Sequence, residues 1–166
     1  VLTTSCIGQS PEDRRREAQG SAPDGDVLHR PGQPCLVCHS DKYDPGGEAF
    51  VIAGTIYQHP DDPNDQGLAG AQVSLIDSED REFSAYTNAA GNFMIKVDPN
   101  LTEPVATTDG RLKVPFEPKF PLTVAVIYQG VDKSMDSMIW REGSCASCHH
   151  GSTPARDYVE KVWHEE

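Results

Sequence analysis

The sequence predicts a mainly β domain, a seven-stranded sandwich flanked by irregular arms and short helices. Three observations carry that expectation. Short runs in which apolar residues alternate with period two recur between residues 48 and 140. Thirteen Pro and 14 Gly cut the 166-residue chain into segments too short for a helical bundle. Residues 7 to 34, by contrast, carry few apolar side chains and many Pro, Gly, Ser and charges, so they cannot bury enough surface to make a core of their own.

In chain order, the composition shifts divide the sequence into an arm (1–34), a short cysteine-bearing segment (35–47), the β domain (48–140) and a second cysteine-bearing segment with a terminal helix (141–166). In the arm, Ser10 caps a short helix with Pro11 at its first position, acids in its first turn and Gly20 after its end. Arg14, Arg15 and Arg16 form the one basic run. A solvated face is its simpler reading, and a clamp on an acidic neighbour or a second copy is the sharper one.

The expected strands begin with Phe50 to Tyr57, with Phe50, Ile52 and Ile56 on one face, followed by Ala71 to Leu75 and Phe83 to Thr87. A Gly-ended turn, Asn88 to Gly91, leads into Asn92 to Val97, with Phe93, Ile95 and Val97 inward and Met94 at the surface. Arg111 to Val114, Leu122 to Tyr128 and Ser137 to Trp140, with Met138 in the core, complete the seven. Pro154 to His164 reads as a helix whose face of Ala155, Tyr158, Val159, Val162 and Trp163 covers the sandwich end or a bound group. His164 falls off that face, which leaves it exposed or offered to a neighbour. In the loop after the first strand, Asp61, Asp62, Asn64 and Asp65 could hold calcium, but their spacing is not that of an EF-hand and a solvated loop is the simpler reading.

Fourteen Lys plus Arg against 26 Asp plus Glu leave a net charge of −12, which repels phosphate backbones and favours basic partners. Mean hydropathy is −0.52, and no stretch approaches the roughly 20 apolar residues of a membrane span.

Four of the five cysteines form two copies of one motif, Cys35-Leu36-Val37-Cys38-His39 and Cys145-Ala146-Ser147-Cys148-His149. C-x-x-C-H is the attachment sequence of c-type haem. Two thiols three residues apart can each add to a vinyl group of one porphyrin while the next side chain reaches the iron. A zinc site would place its cysteine pairs closer together than the 110 residues between these, and a thioredoxin-like pair would sit between a strand and a helix. A disulfide within each motif is the plainer alternative. The cofactors expected are therefore two haem c groups.

The paired motifs resemble those of multihaem c-type cytochromes, and the resemblance implies a protein exported to the periplasm or cell exterior. The chain begins without a charged and apolar leader and so reads as a mature form. Cys6 is left over, as a free thiol or intermolecular disulfide before a lipid anchor. A second resemblance rests on Gly54, on Gly67-Leu68-Ala69-Gly70-Ala71-Gln72-Val73 and on Thr87-Asn88-Ala89-Ala90-Gly91-Asn92-Phe93. Over about 90 residues these are similar to the carboxypeptidase regulatory-like family. That similarity implies a transthyretin-like or immunoglobulin-like sandwich acting as a scaffold without catalytic residues. Asn88 stands where that family often has Asp.

His39 and His149 are the proximal iron ligands that the motifs specify. The sixth positions fall to His29, His59, His150 or, ranked lower, His164, with Met94, Met135 and Met138 also possible, or they stay open. His150 follows a proximal ligand directly. In multihaem cytochromes such a second His ligates a neighbouring haem, whereas a hydrogen bond to a propionate is the plainer role. With seven strands alternating in direction, the motifs sit at opposite ends of the sandwich, roughly 25 Å apart at about 3.3 Å per residue. His59 would then serve the haem at Cys145 and Cys148, and His29 the haem at Cys35 and Cys38. Haems of successive subunits would meet head to tail in a ring or filament. One miscounted strand would instead bring both motifs to one end. The expected function is electron transfer. The alternative, an enzyme such as a peroxidase or small-molecule reductase, and a third reading, a haem-based sensor, both need an open iron.

Overall fold

The computed structural model describes residues 27–28, 31–40, 45–63, 66–140, 143–147, 149 and 164. Their architecture is mainly β. Eight strands occur: β1 (Ile52–Thr55), β2 (Gln72–Ile76), β3 (Glu82–Tyr86), β4 (Asn92–Val97), β5 (Val105–Ala106), β6 (Arg111–Val114), β7 (Thr123–Tyr128) and β8 (Val131–Ser134). They form two four-stranded sheets, ordered β1-β4-β6-β5 and β3-β2-β7-β8. All pairings are antiparallel except β4 with β6.

Alternation explains the sandwich. Val73 and Leu75 on β2, Phe83 and Ala85 on β3, Phe93 and Ile95 on β4, Leu112 and Val114 on β6, and Val124 and Val126 on β7 all turn into one core between the sheets. Each of these five strands thus contributes every second side chain, as a half-buried strand must. Ile52, Ile56 and Leu122 extend this core.

Several expectations need correction. Eight strands replace seven, because the short edge strands β5 and β8 show outward side chains and no apolar alternation, while residues 137–140 contribute only the Leu122–Ile139 bridge. Met138 lies at the surface, 51 % exposed. Met94 is buried, and Phe50 joins it and Ala53 in a separate small cluster on the outer face of the first sheet. Phe50 therefore leaves the face of Ile52 and Ile56. The helix expected at residues 10–20 lies outside the described residues, as does all of the terminal helix except His164.

The glycine pattern has a steric cause. A Cβ on Gly67 would sit 2.0 Å from the Ala90 carbonyl oxygen, and one on Gly91, at φ +76°, 2.5 Å from that of Ile56. The two backbones pass too closely for side chains. Asn88 shapes the same turn: its Oδ1 accepts from the N–H groups of Ala90 and Asn92, each at 3.0 Å, while its Nδ2 donates to the carbonyls of Val27 at 2.7 Å and Asp109 at 3.2 Å. Asp could accept the first pair but has no proton for the second, which accounts for Asn at this position.

Candidate functional site

The first motif is laid over the outer face of the first sheet. Its approach is pinned by Gly32 N–H donating to Thr55 Oγ1 at 2.8 Å, and Thr55 Oγ1 in turn donates to Asn92 Oδ1 at 2.7 Å. Cys35–Val37 then form a single 3-10 turn. The Cys35 carbonyl accepts from the N–H groups of Cys38 at 3.2 Å and His39 at 2.9 Å. Cys35 and Leu36 pack on the cluster of Phe50, Ala53 and Met94. Burial pushes the Cys35 thiol up to about 11, against a backbone hydrogen bond that lowers it, with the nearby Cys38 adding to the rise. The group stays a neutral thiol at pH 7, and Cys35, Cys38 and Cys145 are all free of disulfides. Cys35 and Cys38 are thus not bridged in this structure.

His39 is oriented from behind. Its Nδ1 lies 2.9 Å from the Glu48 carbonyl oxygen, which can only accept, so Nδ1 carries the proton and Nε2 the lone pair. A backbone carbonyl on the far nitrogen is the usual support of a metal-binding imidazole. The ring packs 4.7 Å from that of Phe50, and the Phe50 N–H donates to the His39 carbonyl at 3.0 Å. Glu48 is itself tied to the sheet, its carboxylate meeting Arg111 at 3.1 Å and Lys96 at 3.9 Å. Arg111 also pairs with Asp109.

The second motif enters along the free edge of β1. Ala53 N–H donates to the Gly143 carbonyl at 2.8 Å, and Ser144 bridges Ala53 in parallel. Cys145–Ser147 repeat the 3-10 turn, and the His149 N–H donates to the Cys145 carbonyl at 2.8 Å. Cys145 packs against the main core, where a Cβ added at Gly54 would fall 2.7 Å from its Cβ and 2.9 Å from its Sγ. Only glycine at 54 leaves this space.

Both motifs therefore sit on β1, one on each face. Cys35 packs on the cluster containing Ala53, and Cys145 fills the cradle at the next residue, Gly54. The expected placement at opposite ends, roughly 25 Å apart, is incorrect, because Cys35 and Cys145 adjoin consecutive residues of β1. The physical reason is the hydrogen-bonding capacity of the β1 edge, which the returning chain at Gly143 and Ser144 satisfies.

No family model, curated protein or solved structure matches the chain.

The remaining candidate ligands are dispersed. His59 is exposed in a turn where its N–H donates to Asp62 Oδ2 at 2.7 Å. Asp62 is thus engaged within its own turn, and among the described residues no group of three or more His, Cys, Asp or Glu converges as a metal site. His29, His150 and Cys148 lie outside the described residues, as do Asn64 and Asp65. His164 corrects the expectation of exposure: it is 1 % exposed.

The residues present fit a covalently held haem. The Cys35 and Cys38 thiols outside any disulfide, an imidazole at His39 whose Nδ1 is held by the Glu48 carbonyl, and an apolar bed of Leu36, Phe50, Ala53 and Met94 are the donor types and surface that such a group needs. Sequence reasoning passed over the Glu48 carbonyl, the Phe50–Met94 bed and the cradle at Gly54. Gly54 alone had a signal, as a glycine within an otherwise apolar strand.

Proposed function

We propose that this protein is an exported dihaem c-type cytochrome that passes electrons between two haems of one protomer. Cys35 and Cys38 would hold one group by thioether bonds with His39 as proximal ligand, and Cys145, Cys148 and His149 would hold the other. Bound haem supplies a one-electron iron couple. The observation that carries the reading is that the 3-10 turns opening the two C-x-x-C-H segments, Cys35–Val37 and Cys145–Ser147, both pack against a single strand, β1, at Ala53 and Gly54.

The chain's own residues contribute orientation and insulation. The Glu48 carbonyl fixes the His39 tautomer, the bed of Phe50 and Met94 keeps water from one face, and Gly54 admits Cys145 close to the core. Hydrogen bonds on both edges of β1, to β4 and to Gly143, would limit rearrangement when charge changes, which is what electron transfer requires of a scaffold. The acidic surface would steer basic redox partners at low salt. No helix among the described residues is long and apolar enough to cross a membrane. A head-to-tail filament was expected from motifs at opposite ends, and their common position on β1 removes that reason; a pair within one protomer is the reading the geometry favours.

Expression with a periplasmic haem-attachment system tests the proposal. Intact mass and the alkaline pyridine spectrum should report two covalent haems per chain, falling to one in Cys35→Ala/Cys38→Ala and in Cys145→Ala/Cys148→Ala. A chain exported intact with no attached haem would overturn it.

A further inference from the structure

The two outer faces of the sandwich carry opposite charges. On the first sheet the outward side chains of β4 and β6 include Lys96, Arg111 and Lys113, half of the six Lys and Arg among the described residues, and Met94 is buried there beneath Cys35 and Leu36. The second sheet is the reverse. Among the outward positions of its four strands the only charges are Glu82 and Asp132, both acidic and both on edge strands. Lys133 is no exception, because it aligns with Val126, which faces the core.

Apolar side chains stand open on this second face. Ile76 is 41 % exposed and Tyr86 47 %. Beyond β8 the chain stays on the same edge: the Met135 N–H donates to the Val124 carbonyl at 3.0 Å, and Leu122 and Ile139 exchange both backbone hydrogen bonds at 2.8 Å. Ile139 packs on the core with Leu122, so Met138 and Trp140 on either side of it turn outward. They are 51 % and 68 % exposed, and Trp140 is the most exposed large apolar residue among those described. The register that sets Thr123 opposite Ile76 brings Met138 to the other side of Thr123, in the same row. Four of the seven exposed large apolar side chains among the described residues therefore share one sheet face. Open apolar side chains gathered on one face mark a contact surface, and Trp, Tyr and Met are the residues enriched in such surfaces.

Charge decides the occupant. Glu82 and Asp132 rim the face, the exposed Asp136 adds a third carboxylate, and the whole chain carries −12. A second copy docked through the same face would bring these carboxylates against one another, whereas a partner with an apolar centre and a basic rim meets them favourably. Position links the face to the second motif. Trp140 precedes Gly143 by three residues, at most about 11 Å of extended chain. Gly143 and Ser144 then lead along β1 directly into Cys145.

We infer that the outer face of the second sheet, from Ile76 to Trp140, docks a basic one-electron carrier protein, with Trp140 at the corner nearest the second motif. The inference rests on the cytochrome reading and supplies its partner. One electron passes between the haem iron at Cys145 and Cys148 and the redox centre of the carrier, and no bond forms or breaks.

The test uses the full holoprotein and mitochondrial cytochrome c, a basic one-electron haem protein, as probe, with calorimetric titration for Kd and stopped-flow mixing for electron exchange at low salt. Trp140→Ser should raise Kd about tenfold or more, as truncation of a central interface aromatic does, and Ile76→Ser by a smaller factor. Val105→Ser, at an equally exposed apolar residue on β5 of the first sheet, should leave Kd unchanged. Electron exchange should slow more in Cys145→Ala/Cys148→Ala than in Cys35→Ala/Cys38→Ala. Wild-type Kd in both Trp140→Ser and Ile76→Ser, or equal weakening by Val105→Ser, would overturn the inference. Loss of self-association in Trp140→Ser by sedimentation, with carrier binding unchanged, would also overturn it and assign the face to a second copy. Absence of covalent haem abolishes electron exchange but not the titration, so defeat of the cytochrome reading is told apart from defeat of the docking face.

Discussion

The two C-x-x-C-H segments share a backbone turn and differ in what lies beneath it. The first rests on an outer-face bed of Phe50, Ala53 and Met94, outside the main core, and its His is held by a carbonyl nine residues ahead. The second is wedged into the sandwich edge, with Cys145 touching the main core through a gap that only Gly54 leaves. One motif is supported by a local patch and the other by the main core. The comparison teaches that identical motif chemistry can be coupled to global stability to very different degrees. Damage to the bed should loosen the first site alone, whereas damage to the core should reach the second.

The largest effect should come from Phe93→Ala. Phe93 is buried in the main core and its ring edge lies 3.0 Å from the position of a Gly54 Cβ, beside Cys145. A loss of about 3–5 kcal/mol is expected in denaturant unfolding, with the second haem site perturbed spectroscopically. An undisturbed second site would break the proposed link to the core.

Met94→Ala is the counterpart on the outer face. Its side chain is 6 % exposed and belongs to the small cluster beneath Cys35 and Leu36. A loss of about 2–4 kcal/mol is expected, with the change in midpoint potential confined to the first haem, as spectroelectrochemistry on the single-haem variants would show. Equal shifts at both haems would contradict the separation.

Gly54→Ala sharpens the comparison further. The added methyl meets Cys145 Cβ at 2.7 Å and Sγ at 2.9 Å, so the second turn must shift outward. Thermal or denaturant unfolding should show about 1–3 kcal/mol of destabilisation, and the yield of two-haem protein by intact mass should fall in favour of the form haemylated only at Cys35 and Cys38.

The smallest effect on the two motifs belongs to Asp77, in the turn between β2 and β3. Burial alone would raise its carboxyl, but hydrogen bonds from the Arg81 guanidinium and from the N–H groups of Arg81, Lys119 and Glu79 hold it down to about 2. A depressed folded-state value means the contribution is complete above the ordinary value of 3.8 and is lost as pH falls from there toward 2. Asp77→Asn should therefore flatten the stability profile in that window while leaving both haem spectra unchanged. An altered spectrum would show that the turn between β2 and β3 communicates with β1.

Much of the fold was legible because a half-buried strand writes its burial into every second residue: Val73 and Leu75, Phe93 and Ile95, Val124 and Val126 all alternate in the sequence as they do in space. β5 and β8 carry no such record, since edge strands with exposed side chains gain little from apolar residues. Met94 misled for a related reason. Its neighbours Asn92 and Lys96 mark an outward face, and only the segment folded over that face makes it an interior. Asn88 and the glycines of the β3–β4 turn were visible as a pattern, but the need for an amide rather than a carboxylate became clear only with its two carbonyl partners, Val27 and Asp109.

The sequence by itself determined the two C-x-x-C-H segments, the mainly β class and the acidic surface, because each is a matter of residue identity or of spacing over a few positions. Tertiary structure decided that Ser144 pairs with Ala53 across some ninety residues, that both motifs consequently share β1, and that His164 is buried with one nitrogen anchored and the other bare. Those outcomes depend on which edge the returning chain satisfies. Backbone hydrogen bonds are the same for every residue, so their choice of partner leaves no mark in the local sequence.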